Sequence, residues 1–381
     1  MHALTPPQRR PFLAAALFSV ACLAGPIHAV GGQTVPDLLD LPAQTSARAQ
    51  HSLQLAVSRA GERLVAVGER GSVLLSDDGG HSWRQARSVP VSVALTDVHF
   101  VDARDGWAVG HSGVVLHSSD GGETWQRQLD GRQAAEAIRA DAQRRVAAGE
   151  EGAAAALRSA EFLVNDGPDK PFLGVRFADA RHGYVVGAYG LALATADGGQ
   201  SWQSLVGRIP NPRGKHLYRV DIDGERLLIA GEQGALLRST DGGAHFAEIR
   251  TPYAGTFFGA LELGGDALLA YGLRGNVWRS GDGGASWQQV EVGQPVTLSA
   301  AWRLQGGALL LADEGGRLLL SSDGGRHFAA LAVQPGTGLT GMVEAADGAL
   351  ILSGARGLGR VESTALAVGG QPTSLHVSGV Q

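Results

Sequence analysis

The chain has one cysteine, Cys22, in 381 residues, and it falls inside a stretch that reads as an export signal. Arg9 and Arg10 precede an apolar run from Phe12 to Ala24, and small residues end at Ala29. That run is too short to span a bilayer and has the charge and small-residue pattern of a cleaved leader, so residues 1–29 are expected to be removed. Arg9-Arg10-Pro11-Phe12-Leu13 is also similar to a twin-arginine signal, although no lysine follows, and Ser19 is a poor start for a lipoprotein box at Cys22. The remaining 352 residues contain no cysteine. A fold in an oxidising compartment must then rely on packing instead of disulfides. Lysine is nearly absent: Lys170 and Lys215 stand beside 30 arginines. The formal net charge of −5 argues against nucleic acid as the main partner.

Site signatures are scarce too. Histidines are scattered without the paired spacing of a transition-metal site. Asp221-Ile222-Asp223-Gly224-Glu225 is too short for a calcium loop and reads as a hairpin turn. No glycine loop follows a strand and opens a helix, so no nucleotide cofactor is expected. No metal or other cofactor is assigned.

What the chain does contain is a repeat. Ser76 to Trp83 reads Ser-Asp-Asp-Gly-Gly-His-Ser-Trp, and the pattern recurs at Ser118 to Trp125, Thr195 to Trp202, Ser239 to Phe246, Ser280 to Trp287 and Ser321 to Phe328. Its aspartates are Asp78, Asp120, Asp197, Asp241, Asp282 and Asp323, spaced by 42, 77, 44, 41 and 41 residues. Aspartate and serine oxygens accept backbone N–H bonds in tight turns, and paired glycines supply positive φ. These six aspartates are therefore read as structural. Apolar β-prone runs precede each copy, with a glycine-bounded pair upstream, as in Leu64-Val65-Ala66-Val67-Gly68-Glu69-Arg70-Gly71. Strand, turn, strand, hairpin, strand, turn and strand in about 41 residues is the signature of a propeller blade.

The doubled step holds an insertion. Residues 131–164 are rich in Ala, Arg, Glu and Gln and lack β alternation, which predicts a helical hairpin of Gln133 to Ala148 and Ala153 to Leu163. The full expectation is an all-β, seven-bladed propeller of four-stranded blades over residues 30–365, with this insertion between blades 2 and 3 and a tail at 366–381. The seventh unit begins at Gly338 and lacks the repeated turn. A strand from the other terminus, Val35 to Leu41, is expected to complete it and close the ring.

The repeated motif identifies the chain with the Asp-box, or BNR-repeat, propellers, which include sialidases, other glycosidases and non-catalytic scaffolds. Blade openings such as Leu95-Thr96-Asp97-Val98-His99-Phe100 followed by Asp105-Gly106-Trp107-Ala108-Val109-Gly110 resemble the photosystem II stability/assembly factor family. That resemblance implies an exported or lumenal propeller that assists assembly of a membrane-protein complex through an arginine-rich surface. The alanine-rich insertion at 131–164 is outside the family's pattern.

In such a ring the repeated turns share one rim. The second-to-third-strand hairpins and inter-blade loops share the other, and these differ from blade to blade. Partner contact is expected there, at Arg70, His111, Tyr189, Arg208, Arg213, Arg274 and Arg356, on a periplasmic monomer, with peripheral membrane association allowed. The rival reading is a sialidase-like glycoside hydrolase. Arg208-Ile209-Pro210 echoes a sialidase element but follows the third Asp-box, and the five tyrosines, at 184, 189, 218, 253 and 271, offer no pairing with glutamate.

Overall fold

A computed structural model describes residues 36–333, 336 and 338–366. The leader-like residues 1–29 and all but the first residue of the tail at 366–381 lie outside the described residues. From Asp37 onward the chain forms one unit. Seven antiparallel sheets follow one another in sequence order, and in each the strands pair consecutively from first to last. This is the expected seven-bladed propeller.

The first strand of each blade lies nearest the axis. These inner strands are Gln54–Ala60, Leu95–Phe100, Phe172–Phe177, Leu217–Asp223, Phe257–Glu262, Leu298–Arg303 and Leu339–Glu344, and each touches its neighbours around the ring. Every one carries a bulge near its start, where one residue is skipped in the pairing with the second strand. A bulge bends a strand and sharpens its twist, which is what fitting seven sheets around one axis demands. The glycine that ends most second strands has its reason in the same place. A Cβ on Gly110 would stand 2.2 Å from the carbonyl oxygen of Ala94, so only glycine lets the two strands approach.

The second and third strands are almost wholly buried, as in Arg63–Gly68 and Val73–Ser76, and they read as continuous apolar runs because both sheet faces meet neighbouring blades. Trp107 of blade 2 stacks on Phe177 of blade 3 at 3.6 Å and 7°. Five of the six outer strands are only two residues long. Short polar edges of this kind resist unwanted pairing.

The ring closes differently from the sequence expectation. Blade 7 has three strands, ending at Gly357–Val361, and no fourth is paired to it among the described residues. The described part of the Val35 to Leu41 stretch turns at the junction of blades 1 and 2 instead. Asp37 accepts the Leu39 N–H at 3.1 Å, Ser92 donates its N–H to the Leu38 carbonyl at 2.8 Å, and Leu39 is buried among Val89, Val91 and Val93. Pro36 and Pro42 flank the segment and cannot donate to a ladder, and the Asx turn at Asp37 competes with extension. The outer face of blade 7 is covered by the short 3₁₀ turn Ala49–His51, whose Ala49 packs with Val343 and Ile351. At the seam, Thr340 donates to the Gln54 carbonyl at 2.7 Å, as Thr96 does to the Phe172 carbonyl between blades 2 and 3.

The insertion is helical. Helix α1 (Gly131–Ala147) begins with a capping box in which Asp130 accepts N–H bonds from Arg132 and Gln133, while Gln133 accepts from Asp130. Helix α2 (Ala153–Asp166) follows after Gly149 and Gly152, both at positive φ. Ala134, Ile138 and Ala142 of α1, with Ala160 of α2, pack on Leu129, Phe172 and Leu191 of blades 2 and 3.

Candidate functional site

The six Asp-boxes share one hydrogen-bond scheme. Ser76 donates to Asp78 Oδ1 at 2.7 Å and accepts the Gly80 N–H at 2.8 Å, while the Ser82 N–H and hydroxyl donate to the two Asp78 oxygens at 2.9 and 2.5 Å. Asp120, Asp197 and Asp282 repeat it with Thr124, Ser201 and Ser286. In the fourth and sixth copies the imidazole Nδ1 of His245 and His327 takes the place of that hydroxyl, at 2.7 and 2.6 Å. The hydroxyl and N–H of Ser201 hold Asp197 at a pKa of about 2. Each carboxylate accepts hydrogen bonds inside its own turn, and Asp120 also stands 3.8 Å from Arg87.

The opposite rim is built on another principle. In five blades the second-to-third-strand turn places a non-glycine residue in the left-handed region: Arg70, Ser112, Tyr189, Gln233 and Arg274, with φ between 54° and 58°. An L-residue there costs on the order of 1–2 kcal/mol, so each such turn carries strain that glycine would relieve. The seven rim residues singled out from the sequence, Arg70, His111, Tyr189, Arg208, Arg213, Arg274 and Arg356, are all exposed. None of their side chains has a hydrogen bond or ion pair among the described residues. Blades 6 and 7 lack such a residue; in blade 6 Asp313 is buried and is held by Arg317 at 2.6 Å.

The seven do not form one cluster. Arg70, His111, Arg274 and Arg356 occupy blades 1, 2, 5 and 7. Tyr189 and Arg213 face a common groove of about 980 Å³ between α2 and the loop 206–214. Three apolar side chains line it in exposed positions, Phe162, Tyr189 and Val206. Lys170, paired with Asp166 and Asp169, stands 5.6 Å over the Tyr189 ring. Arg208 leaves this groove and lies close enough to the Tyr184 hydroxyl to lower its pKa, against the larger upward effect of burial. Tyr184 in turn donates to the Gly242 carbonyl in an Asp-box turn.

A second polar region was not singled out from the sequence. The central channel is lined by Arg59, Arg176, Arg219 and Arg303, together with His99 and Trp302. Neighbouring inner strands are stitched there by side chains: Ser58 accepts the Phe100 N–H, Asp97 the Val175 N–H, His99 Nδ1 the Phe177 N–H and Asp221 the Glu262 N–H, at 2.9–3.2 Å. Burial, with Arg176 adding to it, keeps the His99 pKa well below its usual value, so the ring is neutral at pH 7. The signal was in the sequence as charged residues inside otherwise apolar blade-opening strands. Asp221, weighed above as part of a turn, is one of these channel residues, and only Asp223 reaches the turn.

Comparison with known proteins adds identity to this geometry. The sequence profile of the family described as photosynthesis system II assembly factor YCF48 matches residues 85–150 and 163–357. The gap, residues 151–162, falls on most of helix α2, while α1 lies inside the match. A photosystem II assembly lipoprotein Ycf48 from Synechococcus sp. (strain CC9902) is 35% identical over 77 residues, which is 20% of this chain and 23% of that relative's length. A solved structure of YCF48 bound to a D1 peptide superposes with a TM-score of 0.60 at 16% identity, over 84% of this chain and 99% of that one. YCF48 from Cyanidioschyzon merolae gives 0.61 at 15% identity, over 85% and 99%. At such identities these structures establish the shared fold.

Proposed function

The chain belongs to the photosynthesis system II assembly factor Ycf48 family, and from that premise we propose that it is an exported, non-catalytic scaffold that holds a subunit of a membrane-protein complex during assembly. The observation that carries this reading is the contrast between the rims. The motif aspartates of the Asp-box rim are bonded within their own turns, whereas the opposite rim presents exposed side chains without hydrogen bonds or ion pairs among the described residues, three of them, Arg70, Tyr189 and Arg274, on left-handed backbone. Strain kept at unpaired surface residues marks selection for something other than stability. Arginine and tyrosine are also the residues that dominate protein interfaces.

The D1 peptide carried by one solved relative supports a client that is a segment of a membrane-protein subunit. The relative named as a lipoprotein supports export. The contact is assigned to Arg70, His111, Tyr189, Arg208, Arg213, Arg274 and Arg356, with the groove beside α2 as its apolar part. The chain acts as a monomer that meets the membrane through its client.

Among the described residues no tyrosine is paired with glutamate as a sialidase requires. A sialidase needs a tyrosine nucleophile paired with glutamate. Here Tyr184 donates to Gly242 and Tyr253 to the Leu273 carbonyl, Tyr271 is buried, Tyr218 packs edge-on to Phe258, and Tyr189 sits over Lys170. The buried Glu262 is neutralised by a two-bond pair with Arg238 at 2.6 and 2.9 Å.

The test is affinity capture with the exported protein as bait in crosslinked envelope membranes. Enrichment of one membrane complex is expected. Empty capture together with hydrolysis of sialosides or other glycosides would overturn the scaffold in favour of an enzyme.

A further inference from the structure

The channel arginines form a site that the rim does not use. Arg59, Arg176, Arg219 and Arg303 line a cavity of about 330 Å³, which shares His99, Arg176, Trp302 and Arg303 with an adjoining one of about 410 Å³. Arg59 and Arg303 sit at the downstream ends of their strands. Those ends lead into the turns that meet the Asp-boxes, as the Gly121 N–H to Arg104 carbonyl bond shows, so the site opens on the Asp-box side.

Two of these four guanidinium groups are anchored. Arg59 donates to the Glu344 carbonyl at 3.4 Å and Arg303 to the Glu262 carbonyl. Arg176 and Arg219 make no hydrogen bond or ion pair among the described residues. Carboxylates are present but already engaged. Asp97 and Asp221 accept inner-strand N–H groups, Glu344 accepts the Gln305 N–H at 2.7 Å, and Glu262 is held by Arg238. The first cavity has four guanidinium groups against two carboxylates, Asp97 and Glu344, and the adjoining one adds Asp221 and Asp223, so the excess of positive charge is local to the first cavity, where Arg176 and Arg219 have no direct partner. His99 accepts through Nδ1, which leaves Nε2–H as a neutral donor on the same wall.

We propose that the central channel binds a small dianion, a phosphate or a dicarboxylate, between Arg176, Arg219, Arg303 and Arg59 at its Asp-box mouth. Unpaired guanidinium groups gathered in a half-enclosed space repel one another, and a dianion accepting several of their N–H bonds removes that cost. The site goes beyond the client-binding reading and does not depend on it, because it lies at the other end of the channel from the rim residues.

The test is titration calorimetry with inorganic phosphate and with succinate at millimolar concentrations, at constant ionic strength set by sodium chloride. Saturable one-to-one binding of either dianion is expected in the full-length protein. Affinity should fall by about tenfold or more in Arg176→Gln and in Arg303→Gln, each checked by circular dichroism for a native fold, and Arg176→Lys should recover part of the loss. Arg70→Glu/Arg274→Glu should bind the dianion unchanged, which separates this site from the client rim. No saturable binding of either dianion, or equal binding by wild type and the folded Arg176→Gln and Arg303→Gln proteins, would overturn the proposal.

Discussion

The two rims of this propeller are made by the same strands and turn by opposite rules. On the Asp-box rim the six motif aspartates are bonded within their own turns, and glycines at positive φ do the turning: Gly79 and Gly80 take φ of 72° and 93°. On the other rim arginine, tyrosine, glutamine and serine occupy left-handed positions that glycine would fill at lower cost. On the proposed function, a turn that only has to fold becomes uniform, whereas one that contacts a client keeps its side chain and accepts the strain.

Breaking internal charge pairs should have the largest effect, on either rim. Glu262 is fully buried against Arg238, and Asp313 is fully buried against Arg317. Arg238→Ala is expected to destabilise by about 3–5 kcal/mol, because a carboxylate is left buried without its partner. Arg317→Ala should be comparable, and chemical denaturation reads both. A loss under 1 kcal/mol would show that water replaces the guanidinium.

Next comes the Asp-box itself. Asp120→Ala removes the acceptor for the Thr124 N–H and hydroxyl and the Ser118 hydroxyl, and should cost about 1–2 kcal/mol without altering client capture. The opposite rim should respond with the opposite sign. Arg274→Gly relieves a left-handed arginine at φ 57° and is expected to leave stability unchanged or raise it by up to about 1 kcal/mol, while capture weakens. A clear loss of stability in Arg274→Gly would dissolve the distinction between the rims.

The smallest effect is on pH. Asp197 and Asp282, each held near 2 by a serine hydroxyl and N–H, have folded-state pKa values below their ordinary ones. A depressed carboxylate contributes stability above its unfolded pKa and loses it as pH falls through the folded value. Melting temperature should therefore be flat above pH 5 and decline from about pH 4 towards 2. In Asp197→Ala that decline should be shallower.

Much of this was legible in the sequence because the repeat is local. Ser-x-Asp-Gly-Gly places acceptor, donor and positive φ within five residues, so blade number and helical insertion follow from spacing. Two features escaped because they depend on neighbours far along the chain. Leu39 is buried by Val89 and Val91 at the junction of blades 1 and 2; Pro36 and Asp37 argue locally against a strand, but where the segment docks depends on those distant valines. The channel arginines come from blades 1, 3, 4 and 6, each alone in its own strand, and gather only when the ring closes. The rim residues are read from contrast between blades, and their assignment to separate hairpins and inter-blade loops already spreads them around the ring.

The central claim is that the rim opposite the Asp-boxes is the client face. It is tested most directly by crosslinked envelope capture with wild type beside Arg70→Glu/Arg274→Glu, the melting temperatures of both being measured first. Loss of the captured complex in the charge-reversed protein at an unchanged melting temperature is the predicted result. Capture of the same partners at the same yield by a folded charge-reversed protein would contradict it.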